Sequence, residues 1–543
     1  MNLASMWESV ADHLGDTVAL VHGAQQRTYR AFDDRAARLA TAFAAHGVGP
    51  GAKVAMYLYN ANEYLETSFA AMKLRAVPVN VNYRYLTDEL HYLIDNSDAE
   101  VLVYHGALAE RVAAVRAGLP RLKLLVQVAT DPSDVVPLLP GAFAFEDLVA
   151  SSAPAPRIER GADEWVFLYT GGTTGLPKGV MWSHGQLFKQ FAAGYMAIGG
   201  ETPTTIDGVG QTAKQMREMG VSGPQMAAAP LMHGMAWFTS MSRLMTGGTV
   251  VSLTNRSFDA HELWRLVQDH RITMCVIVGD AFARPMVRAL EEAEAKGTAY
   301  DLSSLMVMVS GGVMWTAPFK KAFLDRGVGM LMDGLGSSEA TGIGMMIHTP
   351  GSDPTTAKFM LNPGTRVLTE DGRDVVPGSG EIGLLAVTGA LPDGYYKDET
   401  KSAATFKDIG GVRYAVPGDW ARVEADGSLT LLGRGSVCIN TGGEKVFPEE
   451  VEEVLKLHPS IGDCIVVGVP DEKWGEAITA VVQAVAGAQV DPTAVIAFAR
   501  DKLAAYKAPK HVVVVDQVVR SPAGKADYRW AKETARAGTP QAS

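Results

Sequence analysis

Residues Tyr169-Thr170-Gly171-Gly172-Thr173-Thr174-Gly175-Leu176-Pro177-Lys178-Gly179 constrain this chain more than any other stretch. They follow an apolar run, Trp165-Val166-Phe167-Leu168, that reads as a buried strand end. Four glycines, three threonines and a lysine fall within one short loop. Glycines let backbone N–H groups approach an anion closely, and the hydroxyls and ammonium add donors and charge. The simplest partner is a polyphosphate. Two common phosphate motifs do not fit. A Walker loop ends Gly-Lys-Ser/Thr, whereas Lys178 stands between Pro177 and Gly179. A dinucleotide fingerprint needs Gly-x-Gly-x-x-Gly opening a helix, and the threonines and Pro177 break that spacing. An ordinary Gly/Thr-rich surface turn is the plain alternative.

The 543 residues are too many for a single core, so two or more domains are expected. A net charge of −11 gives no basic footprint for nucleic acid. Cys275, Cys438 and Cys464 are far apart in sequence, which supports neither a zinc site nor a disulfide framework and suits a reducing cytosol. The first residues lack the basic and apolar segments of a signal peptide, and no run of about 18 uncharged apolar residues could span a membrane. A cytoplasmic protein is expected.

Taken in order, a helix-like stretch from Thr28 to Phe43 is followed by the strand Val54–Leu58. Next come a helix marked by Leu65, Phe69 and Met72 and a strand at Val77–Val81. This is a βαβ unit, so a parallel sheet is expected. The helix near Leu86–Ile94 and the strand Val101–Val103 continue the alternation. Residues 130–160 read as a surface connection. Gly199 to Gln225 reads as an excursion or flap, with a short helix near Lys214–Met219. Short alternating runs from Thr365 to Leu432 predict antiparallel strands. Strands at Cys464–Val469, Ile478–Val485 and Val512–Val515 with a helix at Thr493–Leu503 predict a small α+β unit at the carboxy-terminal end.

The glycine-rich stretch resembles the signature loop of the adenylate-forming superfamily, which includes acyl-CoA synthetases, luciferases of the firefly type and amino-acid adenylation domains. The likeness covers nearly the whole chain. It implies an α/β fold: a large domain, residues 1–433, of parallel βαβ sheets with a distorted β-barrel at about 365–432, a hinge at 434–436, and a small mobile cap at 437–543 with a disordered tail. It also implies that Thr170, Gly171, Gly172, Thr173, Thr174 and Lys178 hold the phosphates of ATP. Ser310-Gly311-Gly312 is similar to the turn that touches adenine. Asp333-Gly334-Leu335-Gly336-Ser337-Ser338-Glu339 resembles the family's Gln-Gly-Tyr-Gly-x-Thr-Glu, which makes Glu339, with Thr170, the expected Mg²⁺ holder. Asp333 then faces the adenine amino group, Ser338 keeps the hydroxyl, and Leu335 replaces the stacking tyrosine. Gly418-Asp419 resembles the ribose-binding Gly-Asp, whose carboxylate accepts from both hydroxyls of a diol. Gly433-Arg434-Gly435-Ser436 is similar to the hinge, with Arg434 on the nucleotide and Ser436 as the pivot. Gly442, Gly443 and Lys445 lie in the loop that relatives present for the thiol step; Lys445 is either a phosphate contact or a plain surface charge. Lys525 occupies the place of the catalytic lysine.

A carboxylate is a poor acyl donor until it becomes a mixed anhydride with AMP. The likeness therefore implies ATP-dependent activation of an acid, followed by transfer to CoA with release of AMP and pyrophosphate. ATP, CoA and Mg²⁺ are implied, with a small-molecule acid as substrate and room for a homo-oligomer. His233, in Pro230-Leu231-Met232-His233, is expected at the site, although a lone histidine in an apolar run is more often a core residue. Met232, Met235, Trp237, Met314 and Trp315 suggest an apolar acyl pocket, with core packing as the competing account. Gly433–Glu452, Arg520–Lys532 and Val278-Gly279-Asp280-Ala281-Phe282-Ala283-Arg284-Pro285 resemble actinobacterial ligases for steroid side-chain acids and related fatty-acyl-CoA synthetases. A ligase that loads a carrier protein and a catalytically silent acyl- or nucleotide-binding protein are the alternatives.

Overall fold

The expected βαβ unit is built from the strand Lys53–Tyr57, the helix Asn62–Lys73 and the strand Val77–Asn80, and the two strands are parallel neighbours. The protein is described by a computed structural model covering residues 1–170, 176–197, 199–441, 444–471, 474–520 and 524–538, without the side chains of Ala193, Ala197, Arg434, Ser436 and Lys445. Among these residues the strands form three sheets. An eight-stranded sheet runs from Gly394–Tyr395 through Lys178–Ser183, Trp165–Thr170, Val77–Asn80 and Lys53–Tyr57 to Ala99–His105 and beyond. Its strands are buried on both faces. Val54 and Met56 point into one core with the amino-terminal helices, and Ala55 and Tyr57 into a second core under the helix Thr87–Asn96.

A fifteen-stranded sheet has a parallel half that includes Val18–His22, Thr249–Ser252, Pro224–Ala227, Met274–Ile277, Val307–Gly311 and Met330–Leu335. The helices Leu3–Leu14, Tyr29–Ala45 and Asn62–Lys73 share a core with both sheets. Trp7 packs there against Tyr29, Phe32 and Phe69, with ring centroids 4.5–4.9 Å apart.

One expectation about this part of the chain is corrected, and the barrel is not confirmed. The stretch Gly199–Gln225 carries a full helix, Ile206–Glu218, laid against Leu3–Leu14 rather than a flap. Val209, Ala213 and Met216 are its buried face. Gly210 permits the close approach, since a Cβ there would lie 2.5 Å from the Ser9 carbonyl oxygen, and His13 pairs with Asp207 at 2.9 Å. The antiparallel strands beyond Lys358 are present, but among the described residues they extend the large sheet in the order Lys358–Leu361, Ser428–Arg434, Asp419–Val423, Ile382–Val387, Val412–Ala415, Phe406–Ile409. Among the described residues no strand pair closes them into a barrel. Local alternation specifies strands but not closure.

The third sheet starts at Ile439. Its long hairpin, Ile461–Asp471 with Gly475–Ala484, takes His511–Val515 as a parallel neighbour. Pro448–Leu455 and Pro492–Lys502 cover one face and Tyr528–Gly538 the other. Where this unit meets the large sheet, Glu449 packs against Gly433, whose Cβ would lie 2.2 Å from Glu449 Oε2. Glu449 Oε1 accepts from the Tyr528 hydroxyl at 3.2 Å, while Oε2 is buried without a hydrogen-bond partner. Burial, reinforced by Glu452 and Asp419, pushes its carboxyl up to about 8.

The folded state therefore keeps a proton on Glu449 that the unfolded chain releases near 4.5, so stability falls as pH rises between these values. Glu449→Gln is expected to remove this slope. Its melting temperature should exceed that of the wild type by a margin that widens from pH 5 to pH 8. A margin constant across the window would refute the buried proton.

Candidate active site

The strands Trp165–Thr170 and Lys178–Ser183 form an antiparallel hairpin whose last pair is Thr170 with Lys178. The glycine-rich stretch is therefore its tip. Gly171, Gly172, Thr173 and Thr174 lie outside the described residues. Lys178 Nζ donates to the Asp398 carboxylate and lies 5.9 Å from the centre of the Tyr395 ring. The lysine, with the backbone N–H of Lys401, holds Asp398 below the usual carboxylate range. The Tyr395 hydroxyl donates to Glu339 Oε1 at 2.8 Å. Tyr395 reaches both residues because Gly394–Tyr395 pairs with the hairpin, opposite Met181 and Val180. Glu339 follows the strand Met330–Leu335, in a turn where Ser337 Oγ accepts from the backbone of Glu339 and Ala340. The Ser338 carbonyl accepts from Trp182 Nε1 on the hairpin at 3.0 Å. Lys178 and Glu339, far apart in sequence, thus meet around one tyrosine.

Gly311 and Gly334 are paired neighbours on parallel strands, and a Cβ on Gly311 would lie 2.9 Å from the Gly334 carbonyl oxygen. Gly312 has a φ of +85°, which glycine tolerates at little cost. Leu335 is half-buried and packs on the core of the antiparallel extension. Asp333, expected to face adenine, is buried against Lys320, with Oδ2 2.8 Å from Nζ. Burial raises its carboxyl and Lys320 opposes the shift. Any adenine contact would have to share this carboxylate with the lysine. Asp419 is buried and stands opposite Arg434 on adjacent strands, next to Gly418 with φ +97°. The side chains of Arg434, Ser436 and Lys445, and the whole of Gly442 and Gly443, are outside the described set.

His233 caps the helix Gly234–Met245. Its Nε2 is buried without a hydrogen-bond partner. Burial first, then the charges of Lys525 and Arg84, push the imidazole down to about 3, so the ring is neutral at physiological pH. Lys525 is exposed and follows Gly524, whose Cβ would lie 3.8 Å from Val313 Cγ2, next to Gly312. Of the expected acyl pocket, Met232, Trp237 and Trp315 are enclosed in the core and present almost no surface. Trp315 packs on Phe323 and under Lys320. Met235 and Met314 are half-exposed, and Met235 Sδ would lie 3.4 Å from a Cβ on Gly311. An apolar side chain reads the same in sequence whether it fills a core or lines a pocket.

Two buried asparagine contacts hold this arrangement and were not expected from sequence. Asn80 Nδ2 donates to the Tyr169 carbonyl at 3.0 Å and to the Met232 carbonyl at 2.6 Å, and Oδ1 accepts from Tyr169 N at 2.5 Å. Asn60 accepts from Leu231 N at 2.7 Å and donates to the Ala229 carbonyl at 3.0 Å. A polar residue ending an otherwise apolar buried strand, Val77-Pro78-Val79-Asn80, was the available signal. Asn80→Asp keeps one acceptor and loses both donations. Each stranded buried carbonyl costs about 1–3 kcal/mol. Urea unfolding should show a loss in that range or above, together with weakened nucleotide binding. Unchanged stability and binding would remove Asn80 from the site.

Among the described residues no helix is long and apolar enough to cross a membrane. The profile of the AMP-binding enzyme family matches residues 7–396, and that of the AMP-binding enzyme C-terminal domain matches residues 450–525. A 3-oxocholest-4-en-26-oate–CoA ligase of Rhodococcus rhodochrous is 43% identical, over 98% of this chain and 96% of the relative. The medium-chain acyl-CoA ligase Mig of Mycobacterium avium is 42% identical, over 97% of each. ATP-bound MatB from Rhodopseudomonas palustris shares the fold, with a TM-score of 0.79 at 24% identity over 98% of this chain and 99% of that one. With Lys178 and Glu339 meeting around Tyr395, and with both profiles matched along its length, the chain belongs to the AMP-binding enzyme family.

Proposed function

We propose that this protein is an AMP-forming acyl-CoA ligase for an apolar acid, of medium- or long-chain fatty or steroid side-chain type. The observation that carries the reading is the meeting of Lys178, Tyr395, Asp398 and Glu339 beside the phosphate hairpin, with the charge of Lys525 acting on His233. The names of the relatives support the acid class, and half-exposed Met235 and Met314 supply apolar surface.

In the first step the acid's carboxylate attacks the α-phosphorus of ATP and pyrophosphate departs. Negative charge gathers on the phosphoryl oxygens, so fixed cations lower the barrier. Lys525 bridges the carboxylate and the α-phosphate. Lys178 exchanges Asp398 for phosphate oxygens, one anion replacing another. Glu339, with one oxygen held by Tyr395, suits a hard cation that also needs phosphate oxygens. It and the Thr170 hydroxyl would hold Mg²⁺, which supplies charge neutralisation on the departing phosphates. Asp419 takes the ribose hydroxyls and Arg434 the nucleotide. Neutral His233 lies between the acid and the thiol path. In the second step CoA sulfur attacks the acyl carbon and AMP leaves. The short turn Gly435–Val437 is the hinge, pivoting at Ser436, that withdraws Lys525 and brings in Gly442, Gly443 and Lys445.

Lys525→Ala is expected to lower acid-dependent ATP–pyrophosphate exchange by about 10²–10³-fold, the usual loss for one preorganised electrostatic group. Conversion of supplied acyl adenylate and CoA to thioester should persist. In a panel of dodecanoate, 3-oxocholest-4-en-26-oate and benzoate, one of the first two should be turned over best. Exchange that survives Lys525→Ala would overturn the mechanism, and adenylate formation without transfer to free CoA would favour a carrier-protein ligase.

A further inference from the structure

Lys525 follows Gly524, which is tied down on two sides. Within the carboxy-terminal unit, Arg520 Nε and Nη2 donate to the two carboxylate oxygens of Asp463 at 2.6 and 2.8 Å. Nη2 also donates to the Cys464 carbonyl at 3.0 Å, and Nη1 to the Gly524 carbonyl at 3.2 Å. Asp463 is itself fixed by the Cys464 N–H at 2.8 Å, with Lys456 3.7 Å away. Arg520 and Ala526 form an antiparallel bridge. One guanidinium therefore fastens the residue before Lys525 to the strand Ile461–Asp471. The fork geometry matters, because a lysine ammonium cannot serve two carboxylate oxygens and two carbonyls in one plane.

The other side of Gly524 faces the large unit. Gly524 is buried, with φ +70°. A Cβ on it would lie 2.7 Å from Ala281 Cβ and 3.8 Å from the Val278 carbonyl oxygen and Val313 Cγ2. Ala281 is exposed at the start of the helix Gly279–Ala295. It belongs to the segment Val278–Pro285, which the phosphate, adenine and hinge motifs do not account for. A side chain at 524 would run into Ala281, so glycine is what lets this residue come down on that alanine.

We propose that Arg520 and Ala281 are positioning residues for Lys525, Arg520 as the clamp on Gly524 and Ala281 as the seat that receives it, for acid activation and not for thioester formation. The inference rests on the proposed role of Lys525 in adenylation. Its consequence is that the small residue at 281 sets how closely the lysine can approach the acid and the α-phosphate. A misplacement of about 1 Å costs about 10²-fold in rate.

Arg520→Lys and Ala281→Met test the two sides separately. Met at 281 points from an exposed position, so folding of the large unit is preserved, and Arg520→Lys keeps the buried charge opposite Asp463. Each variant is assayed for ATP–pyrophosphate exchange with dodecanoate, or with 3-oxocholest-4-en-26-oate if that is the acid turned over. Each is also assayed for conversion of the matching synthetic acyl adenylate and CoA to thioester. Exchange should fall by about 10²-fold, the cost of such a misplacement, while thioester formation is retained. Amide hydrogen exchange should rise at Gly524–Ala526 in Arg520→Lys, with the strand Ile461–Asp471 unchanged. Wild-type exchange rates in both variants, or equal loss of both half-reactions, would overturn the proposal. Lys525→Ala separates the two failures. If it retains pyrophosphate exchange, the functional reading is wrong; if it loses exchange while Arg520→Lys and Ala281→Met do not, only the positioning claim fails.

Discussion

A single buried carboxamide joins the two halves of this site. Asn80 gives both of its N–H groups to carbonyls on separate segments and takes one N–H in return. Inside a protein each of these groups is costly to strand, so none of the three segments can shift alone. The hairpin that carries Lys178 and the turn that ends at His233 are thereby set relative to each other before any ligand arrives. Asn60 repeats the device one strand away, on the same turn. Loop chemistry here depends on strand-end asparagines that touch no phosphate themselves.

Both units bury charge. In the large unit some buried charges are paired and others, such as Glu63, are not. Lys320 meets Asp333, and Lys73 lies between Glu8 and Asp33. In the carboxy-terminal unit Arg520 and Asp463 are likewise matched, but at its border Glu449 has one oxygen buried without a hydrogen-bond partner. Asp280 Oδ2, at the start of the helix that receives Gly524, is another such atom, and burial raises that carboxyl too. These two carboxyls lie where the two units touch, and a contact with unsatisfied groups is cheaper to break than a fully satisfied core.

Much of the fold was legible because it is local. The alternation of apolar strands with helical spacing between Val54 and Val103 specifies a parallel sheet without knowledge of its neighbours. The strand ends on either side of the glycine-rich run were legible for the same reason, since Trp165–Thr170 and Lys178–Ser183 are a local hairpin. What escaped was non-local. The helix Ile206–Glu218 carries two glycines, Gly208 and Gly210, near its start, and its partner, Leu3–Leu14, lies nearly two hundred residues earlier. Tyr395 and Asp398 sit in a segment whose visible signal is only a helix cap, Asp398 accepting from Lys401 N. Nothing in the order of residues says that the other carboxylate oxygen reaches Lys178. Asp333 was found by motif position, but its lysine partner could be seen only in three dimensions.

The amino-terminal strand illustrates how far this non-locality extends. Val18–His22 has Gln25–Thr28 on one edge, and on the other Thr249–Ser252, some 230 residues downstream at His22 and Ser252. At a translation rate of about 5–20 residues per second, that edge waits roughly 10–50 s for its partner to leave the ribosome. During that interval Ala19, Leu20 and Val21, together with Trp7 on the preceding helix, have no finished core to enter. Pairing of this strand is therefore a late event in synthesis, set by the sequence distance to Thr249–Ser252.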